Sequence, residues 1–246
     1  MRRIAIAAAK GGTGKTTTAV SLAHGLTLAG RRVVLVDCDI RRHAALHFGL
    51  ASGPGVAALL DGGSAAAVEV RAGLRVVDSG GPALGEVEMR LADDAADNSR
   101  LRQALACVRD ADYMLLDCPP SMGPMQRNAL LACDEILLPV GADFMSLLGA
   151  RQTLDAIRDL PAPGGTRPRL LGLLPTFYDA AAASVVEVEA ALRNSFAGQV
   201  LQTRVHFSDG LRAAPALGGT VFESDPLSRG ALDYALLTEE IEDLSA

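Results

Sequence analysis

One short glycine-rich segment constrains the fold of this sequence more than any other feature. Residues 10–17 read K-G-G-T-G-K-T-T. An apolar run precedes them at residues 4–9, and residues 19–26 place apolar side chains at helical spacing. Glycines let the backbone turn sharply and aim its N–H groups at an anion, and a helix N-terminus adds partial positive charge. The pattern therefore predicts a strand, a phosphate-binding loop and a helix, the motif called a P-loop.

The polar side chains of this loop are expected to have distinct roles. Lys15 should place its ammonium against the β- and γ-phosphates of a nucleotide, and the Thr16 hydroxyl should bind Mg²⁺. Lys10 is an additional lysine at the start of the loop, and Lys10 and Lys15 are the only lysines in the sequence. A compact ammonium and a planar guanidinium are not interchangeable at a phosphate, so we expect both lysines to be functional. The predicted nucleotide-binding residues are Gly11, Gly12, Thr13, Gly14, Lys15, Thr16 and Thr17.

Two further apolar runs end in carboxylates. Residues 32–37 and 113–117 are typical of buried parallel strands; the first is followed by a second acid, Asp39, and the second ends in Asp117. The carboxyl ends of parallel strands face the ligand crevice of a doubly wound sheet. Asp117 is therefore expected to hold Mg²⁺ through its water shell. The alternative for Asp37 and Asp39 is that they are turn residues that cap a helix.

The order of the remaining elements favours an α/β fold. Strands alternate with helices, which implies a doubly wound, mostly parallel sheet with helices on both faces. Neither an internal repeat nor a long linker is evident, so residues 1–246 are expected to form a single domain. Strands are predicted at 74–78, 135–140, 169–175 and around 200–205, and helices at 86–109 (with a polar interruption at 93–99), 146–160, 180–197 and 228–244.

Composition disfavours several classes of protein. The net charge of −6 disfavours a protein coated by nucleic acid, although it permits a local basic patch. The sequence shows no secretory signal, and no apolar run approaches the roughly 18 residues of a membrane span. The four cysteines show no C-x-x-C spacing, so they do not support a metal site, and reduced thiols in the cytoplasm are expected.

These motifs together resemble the ParA/MinD family of P-loop ATPases over nearly the whole sequence. The most specific is the loop with the extra Lys10; the others are residues 36–39, 116–121, 176–179 and 224–230. The resemblance implies binding of ATP and Mg²⁺ and an ATP-dependent sandwich homodimer. It implies that Lys10, Lys15 and Asp39 are the catalytic residues. Lys10 would reach the phosphates of the other subunit, and Asp39 would position the attacking water from the second shell of the metal.

Some residues depart from the family pattern, and these departures help to distinguish ParA-like from MinD-like members. Residues 40–43 read I-R-R-H where partition ATPases usually have proline and glutamine, and this segment is more similar to MinD or the bacterial tyrosine kinases. The second half is more similar to ParA. The sequence ends in an acidic helical pattern rather than the basic amphipathic helix of MinD, so we expect no membrane anchor. The family places the base near residues 205–209, where its usual proline is missing.

The resemblance favours a cytoplasmic ATPase that positions or segregates a cargo, such as a plasmid, a chromosome region or a protein assembly. Hydrolysis would be slow and stimulated by an adaptor, and nonspecific nucleoid DNA would be the matrix. The alternative is a MinD-like or regulatory nucleotide switch that recruits a protein partner without DNA. The candidate DNA-binding residues are Arg193, Arg204, Arg212 and Arg229, which could instead be solvated surface arginines or stabilise helix ends.

Overall fold

A β-sheet forms the centre of the structure. The computed structural model describes residues 1–93, 98–160 and 167–244. Within these ranges the strands join into one eight-stranded sheet. In chain order they are β1 (Arg2–Ile6), β2 (Val33–Asp37), β3 (Val68–Arg71), β4 (Leu74–Val77), β5 (Tyr113–Asp117), β6 (Glu135–Gly141), β7 (Arg169–Tyr178) and β8 (Val205–His206).

The helices connect the strands and complete the C-terminal part of the chain. No helix within the described residues is both long and apolar enough to cross a membrane. In chain order they are α1 (Lys15–Leu28), α2 (His43–His47), α3 (Val56–Leu60), α4 (Pro82–Asp93), α5 (Arg100–Ala104), α6 (Pro124–Ala132), α7 (Phe144–Arg158), α8 (Ala183–Ser195), α9 (Asp209–Ala213), α10 (Val221–Ser224) and α11 (Arg229–Asp243).

The strand order places the glycine-rich loop at the middle of the sheet. The order is β3-β4-β2-β5-β1-β6-β7-β8, so β1 lies between β5 and β6. Across the described strands, β3 is the one that pairs antiparallel, with β4, and the predicted mostly parallel sheet is confirmed. Strand β3 was not predicted, because it has only four residues and two of them are exposed. Such an edge strand leaves no continuous apolar run in the sequence.

Helices cover both faces of the sheet, as the predicted doubly wound fold requires. Successive residues of β1 point to opposite faces, so Ile4 and Ala5 belong to two different apolar clusters. Ile4 packs in a cluster with Leu22 of α1 and Tyr234 of α11. Ala5 packs in the other cluster with Leu130 of α6. The sheet is therefore buried on both sides, which explains why its central strands are continuous apolar runs.

Most predicted elements are present, with differences at their ends. The predicted helix at 86–109 is divided into α4 and α5, and residues 94–97 of its polar interruption lie outside the described residues. The predicted strand around 200–205 is reduced to β8, because Val200 forms only an isolated bridge with Leu173. Short elements at a sheet edge are the hardest to delimit from sequence, since few partners fix their ends.

Gly25 lets α1 approach α11 closely, and this contact supports the helix that follows the phosphate loop. A Cβ atom at Gly25 would lie 2.3 Å from the Thr238 hydroxyl oxygen, and the Thr238 side chain is buried. We predict that Gly25→Ala lowers the free energy of unfolding by about 1–3 kcal/mol, the usual cost of overpacking. Urea unfolding measures this change.

Two further variants make this prediction specific. Gly53→Ala is the matched control, because a Cβ there meets no atom within 4 Å. Adding Thr238→Ala to Gly25→Ala removes the clashing hydroxyl and should restore most of the lost stability. Equal stability of Gly25→Ala and the parent would show that the two helices can separate at no cost.

Candidate functional site

The glycine-rich loop lies between β1 and α1, at the carboxyl ends of the parallel strands. Gly12 and Gly14 have φ angles of 75° and 86°, in the left-handed region that favours glycine. The helix begins at Lys15, and the Thr18 N–H donates to the Gly14 carbonyl at 2.8 Å. The helix follows directly after the glycines, in the predicted order of strand, loop and helix. The loop thus places a helix N-terminus beside the phosphate site.

Lys15, at the end of the loop, folds back and contacts the residue at its start. Its ammonium donates to the Lys10 carbonyl oxygen over 3.0 Å, and its side chain is buried. Burial lowers the pKa of Lys15, and the charge of Asp117 partly offsets that shift. A buried ammonium with one hydrogen bond keeps two donors for an anion that enters the loop. This arrangement suits the predicted contact with the β- and γ-phosphates.

Asp117 and Thr16 form the part of the site that could hold a metal. The Thr16 hydroxyl donates to Asp117 Oδ2 over 2.7 Å, and Asp117 is fully buried. Asp117 Oδ1 and the Thr13 hydroxyl are buried without a hydrogen-bond partner in the described residues. Burial and the neighbouring Asp37 raise the pKa of Asp117. An orphaned carboxylate oxygen beside a hydroxyl fits a Mg²⁺ ion, which binds oxygen atoms and would compensate the buried charge.

The two acids at the end of β2 have different hydrogen-bond partners. Asp37 pairs in register with Asp117 on the neighbouring strand. It accepts 3.0 Å hydrogen bonds from the N–H groups of Asp39 and of Ala45 in α2. Burial raises the pKa of Asp37. Asp37 therefore has part of the capping role that we considered for both acids, because it binds an N–H in the first turn of α2 and fixes the chain that follows β2.

Asp39 is instead bound to an arginine two residues along the chain. Its carboxylate accepts from the Arg41 guanidinium at 3.1 Å and 2.6 Å and from the Arg41 N–H at 3.0 Å. Burial acts to raise the pKa of Asp39, but the hydrogen bonds from Arg41 outweigh burial and lower it. Asp39 is therefore an ionised carboxylate beside the phosphate loop.

Lys10 is held outside the phosphate loop. Its ammonium donates to both carboxylate oxygens of Asp143, over 2.7 Å and 2.8 Å, and to the Ser146 hydroxyl over 3.1 Å. Asp143 also caps α7, since it accepts from the Ser146 N–H at 2.9 Å. The side chain of Lys10 is 39% exposed. Asp143 was not among the predicted site residues, although an acid just before a predicted helix is a recognisable capping signal.

A cavity of about 320 Å³ opens beside the loop. It contains residues 205–208, part of the segment where the base is expected. The Arg212 guanidinium lies 5.6 Å from the centre of the Phe207 ring, a cation–π distance. Phe177, which also lines the cavity, has a φ angle of 57°, which is strained for a bulky residue. The wall includes Gly14, Thr17, Thr176, Phe177, His206, Phe207, Ser208, Leu211, Arg212 and Tyr234.

The four candidate DNA-binding arginines lie in different surroundings. Arg193 and Arg204 both donate to Glu189, over 2.7 Å and 2.5 Å. Arg229 donates to Asp233 over 2.8 Å, and Arg212 lines the cavity described above. The structure does not gather these arginines into one basic cluster with free charges. Their role in DNA binding stays a prediction.

Comparison with known proteins identifies the family. A family model described as an AAA domain matches residues 1–164. The chromosome-partitioning ATPase Soj of Thermus thermophilus is 37% identical, over 98% of this chain and 95% of that protein. The chain belongs to the ParA/MinD family of P-loop ATPases. The predicted family is thereby confirmed, and this member is a ParA-like ATPase.

Solved structures agree with this assignment at the level of the fold. Cyanothece apo McdA superposes with a TM-score of 0.87 at 20% identity, with all of both chains covered. The septum site-determining protein MinD of Pyrococcus horikoshii, complexed with Mg-ADP, superposes with a TM-score of 0.81 at 21% identity. The superposition with MinD covers 100% of this chain and 97% of that one. The predicted P-loop ATPase fold is confirmed.

The two lysines allow a matched test of the loop. We predict that Lys15→Ala weakens ATP binding about 10- to 100-fold, because a charge-assisted hydrogen bond contributes about 1.5–3 kcal/mol. Lys10→Ala is the control, with binding within about threefold of the parent, because Asp143 and Ser146 hold its ammonium. Titration with a fluorescent ATP analogue measures both. Equal losses in the two variants would contradict the distinct roles of the lysines.

Proposed function

We propose that this ParA-like ATPase forms an ATP-dependent sandwich dimer and positions or segregates an intracellular cargo, such as a plasmid, a chromosome region or a protein assembly. Residues 1–246 act as one ATPase domain. The observation that carries the proposal is the placement of Lys10. Lys10 provides a second ammonium at the phosphate loop, but this ammonium binds the carboxylate of Asp143, which lies outside the loop. An exposed ammonium in this position is available to a second subunit.

Within one subunit, the loop and the strand ends bind and orient ATP. The loop N–H groups and Lys15 hold the β- and γ-phosphates. Thr16 and, through water, Asp117 would hold Mg²⁺, and that ion would supply compensation of negative charge on the phosphates. Asp39 positions the attacking water. Phosphoryl transfer needs positioning and charge compensation more than covalent chemistry, and these residues supply both.

The cavity beside the loop is the proposed site of the adenine base. It adjoins Gly14 and Thr17, so a nucleotide can extend from the phosphate loop into it. Phe177 and Phe207 offer aromatic surface to a flat ring, and Arg212 adds a cation to the same cavity. Arg212 therefore acts on the nucleotide in this proposal, rather than on DNA.

Dimerisation would complete the site by moving Lys10. An exposed ion pair such as Lys10–Asp143 contributes roughly 0–1 kcal/mol. A triphosphate of the partner subunit carries more negative charge and excludes water from the interface, so it should outcompete the single carboxylate of Asp143. Hydrolysis then depends on the partner, as it does when a cation is delivered in trans. The rate would be low until an adaptor protein favours the active dimer.

Two candidate partners for the dimer are nucleoid DNA and another protein. The related Soj is a chromosome-partitioning ATPase, which supports a cytoplasmic protein whose dimer binds nonspecific nucleoid DNA. A second candidate is a nucleotide switch that recruits a protein partner without DNA. The pairing of Arg193 and Arg204 with Glu189, and of Arg229 with Asp233, favours this alternative. In these pairs much of the positive charge is already compensated.

Dimerisation provides the first test. We predict that Lys10→Ala remains monomeric with ATP and Mg²⁺, whereas the parent forms a dimer, because the partner's triphosphate loses its added cation. Asp143→Ala is the matched control, since it removes the other half of the same ion pair and leaves Lys10 free. It should dimerise at least as readily as the parent. Sedimentation velocity measures both, and a normal dimer of Lys10→Ala would overturn the role in trans.

DNA binding distinguishes the two candidate functions. Asp39→Ala should bind ATP without hydrolysing it. We predict that this variant shifts nonspecific duplex DNA with ATP but not with ADP, and that raising salt from about 50 to 200 mM weakens the shift at least tenfold. Electrophoretic shift measures this. Capture of a single protein partner by the ATP-bound variant, with no DNA shift at either salt concentration, would favour the nucleotide switch.

A further inference from the structure

The arginine next to Asp39 occupies both oxygens of that carboxylate. Asp39 Oδ1 accepts from the Arg41 N–H at 3.0 Å and from Arg41 Nε at 3.1 Å, and Oδ2 accepts from Nη2 at 2.6 Å. The Asp39 side chain is 5% exposed and that of Arg41 is 51% exposed. The pair is therefore local and bidentate, with the carboxylate buried beneath the guanidinium.

A second arginine fixes the turn that presents Arg41. Arg42 has a φ angle of 59°, in the left-handed region, and its N–H donates to the Asp39 carbonyl over 2.9 Å. Its guanidinium donates to Asp78 at the end of β4, over 2.9 Å and 2.8 Å, and to the Leu50 carbonyl over 3.1 Å. These contacts anchor the turn, so the backbone of Arg41 is held where its side chain folds back on Asp39.

The two arginines therefore differ in what they hold. Arg42 connects three separate segments of the chain, as expected of a structural residue. Within the described residues, the side-chain hydrogen bonds of Arg41 all go to Asp39. Arg41 thus occupies the hydrogen-bonding positions of one carboxylate and does not join other elements of the fold. In the proposed function, that carboxylate positions the attacking water.

We propose that Arg41 is a positioning residue that restrains Asp39 and keeps intrinsic hydrolysis slow. The proposal rests on the proposed role of Asp39 in hydrolysis. An ionised carboxylate can accept about four hydrogen bonds, two at each oxygen. Arg41 fills both positions at Oδ1 and one at Oδ2, and its charge makes the remaining position a weaker acceptor for water. Displacement of the half-exposed guanidinium would release Asp39 for the reaction.

Steady-state ATPase kinetics test this restraint. We expect Arg41→Gln to raise kcat about 3- to 10-fold, with KM within about twofold, because the change strengthens Asp39 as an acceptor without altering the phosphate loop. Arg41→Lys keeps the charge but loses the fork, so its kcat should lie between those of the parent and Arg41→Gln. An unchanged or reduced kcat in Arg41→Gln would overturn the proposal, and a reduced kcat would indicate that Arg41 stabilises the phosphates instead.

A double-mutant cycle separates failure of this proposal from failure of the assigned role of Asp39. Asp39→Ala alone should nearly abolish hydrolysis; if kcat is unchanged, the proposed role of Asp39 is wrong. In the Asp39→Ala background, Arg41→Gln should have no further effect on kcat. A several-fold increase in that background would show that Arg41 acts through another group, which also overturns the restraint. Thermal unfolding of each variant checks that the fold is retained.

Discussion

The buried carboxyl groups of Asp37 and Asp117 lie side by side on β2 and β5, and the rest of the site has to compensate them. Two neighbouring buried acids are costly unless cations or hydrogen-bond donors compensate them. Asp37 receives backbone N–H groups, and Asp117 receives the Thr16 hydroxyl and the field of Lys15. One oxygen of Asp117 stays unpartnered in the described residues. The phosphate loop therefore lies beside two buried acids whose charged forms a bound cation would stabilise.

Compensation of charge recurs around the loop, where two partly exposed cations are each paired with an acid. Lys10 is bound to Asp143, and Arg41 is bound to Asp39. The Lys10–Asp143 pair is exposed on both sides and costs little to break, whereas Arg41 covers a buried carboxylate that needs another hydrogen-bond donor once the guanidinium leaves. When a triphosphate binds, alone or together with a second subunit, it offers Lys10 and Arg41 an anion that competes with Asp143 and Asp39. In the proposed function, the two pairs are therefore the points at which nucleotide and partner control hydrolysis.

Local signals predicted much of the fold and the centre of the site. The glycines, Lys15 and Thr16 are contiguous, and the strands that end in Asp37 and Asp117 are continuous apolar runs, so short windows of sequence identify them. The contact between Lys10 and Asp143 joins residues 133 positions apart, and only the fold brings them together. The pairing of Arg204 with Glu189 likewise depends on the fold, because the two residues are 15 positions apart in the chain. Edge strand β3 was missed because two of its four residues are exposed, so its sequence contains no continuous apolar run.

A structure determined with Mg²⁺ and a non-hydrolysable ATP analogue tests the central claim most directly. We predict two subunits that face each other across two nucleotides, with Lys10 displaced from Asp143 and its ammonium on the phosphates bound by the partner. A single subunit with the analogue in its loop, and with Lys10 still bound to Asp143, would contradict the proposed dimer.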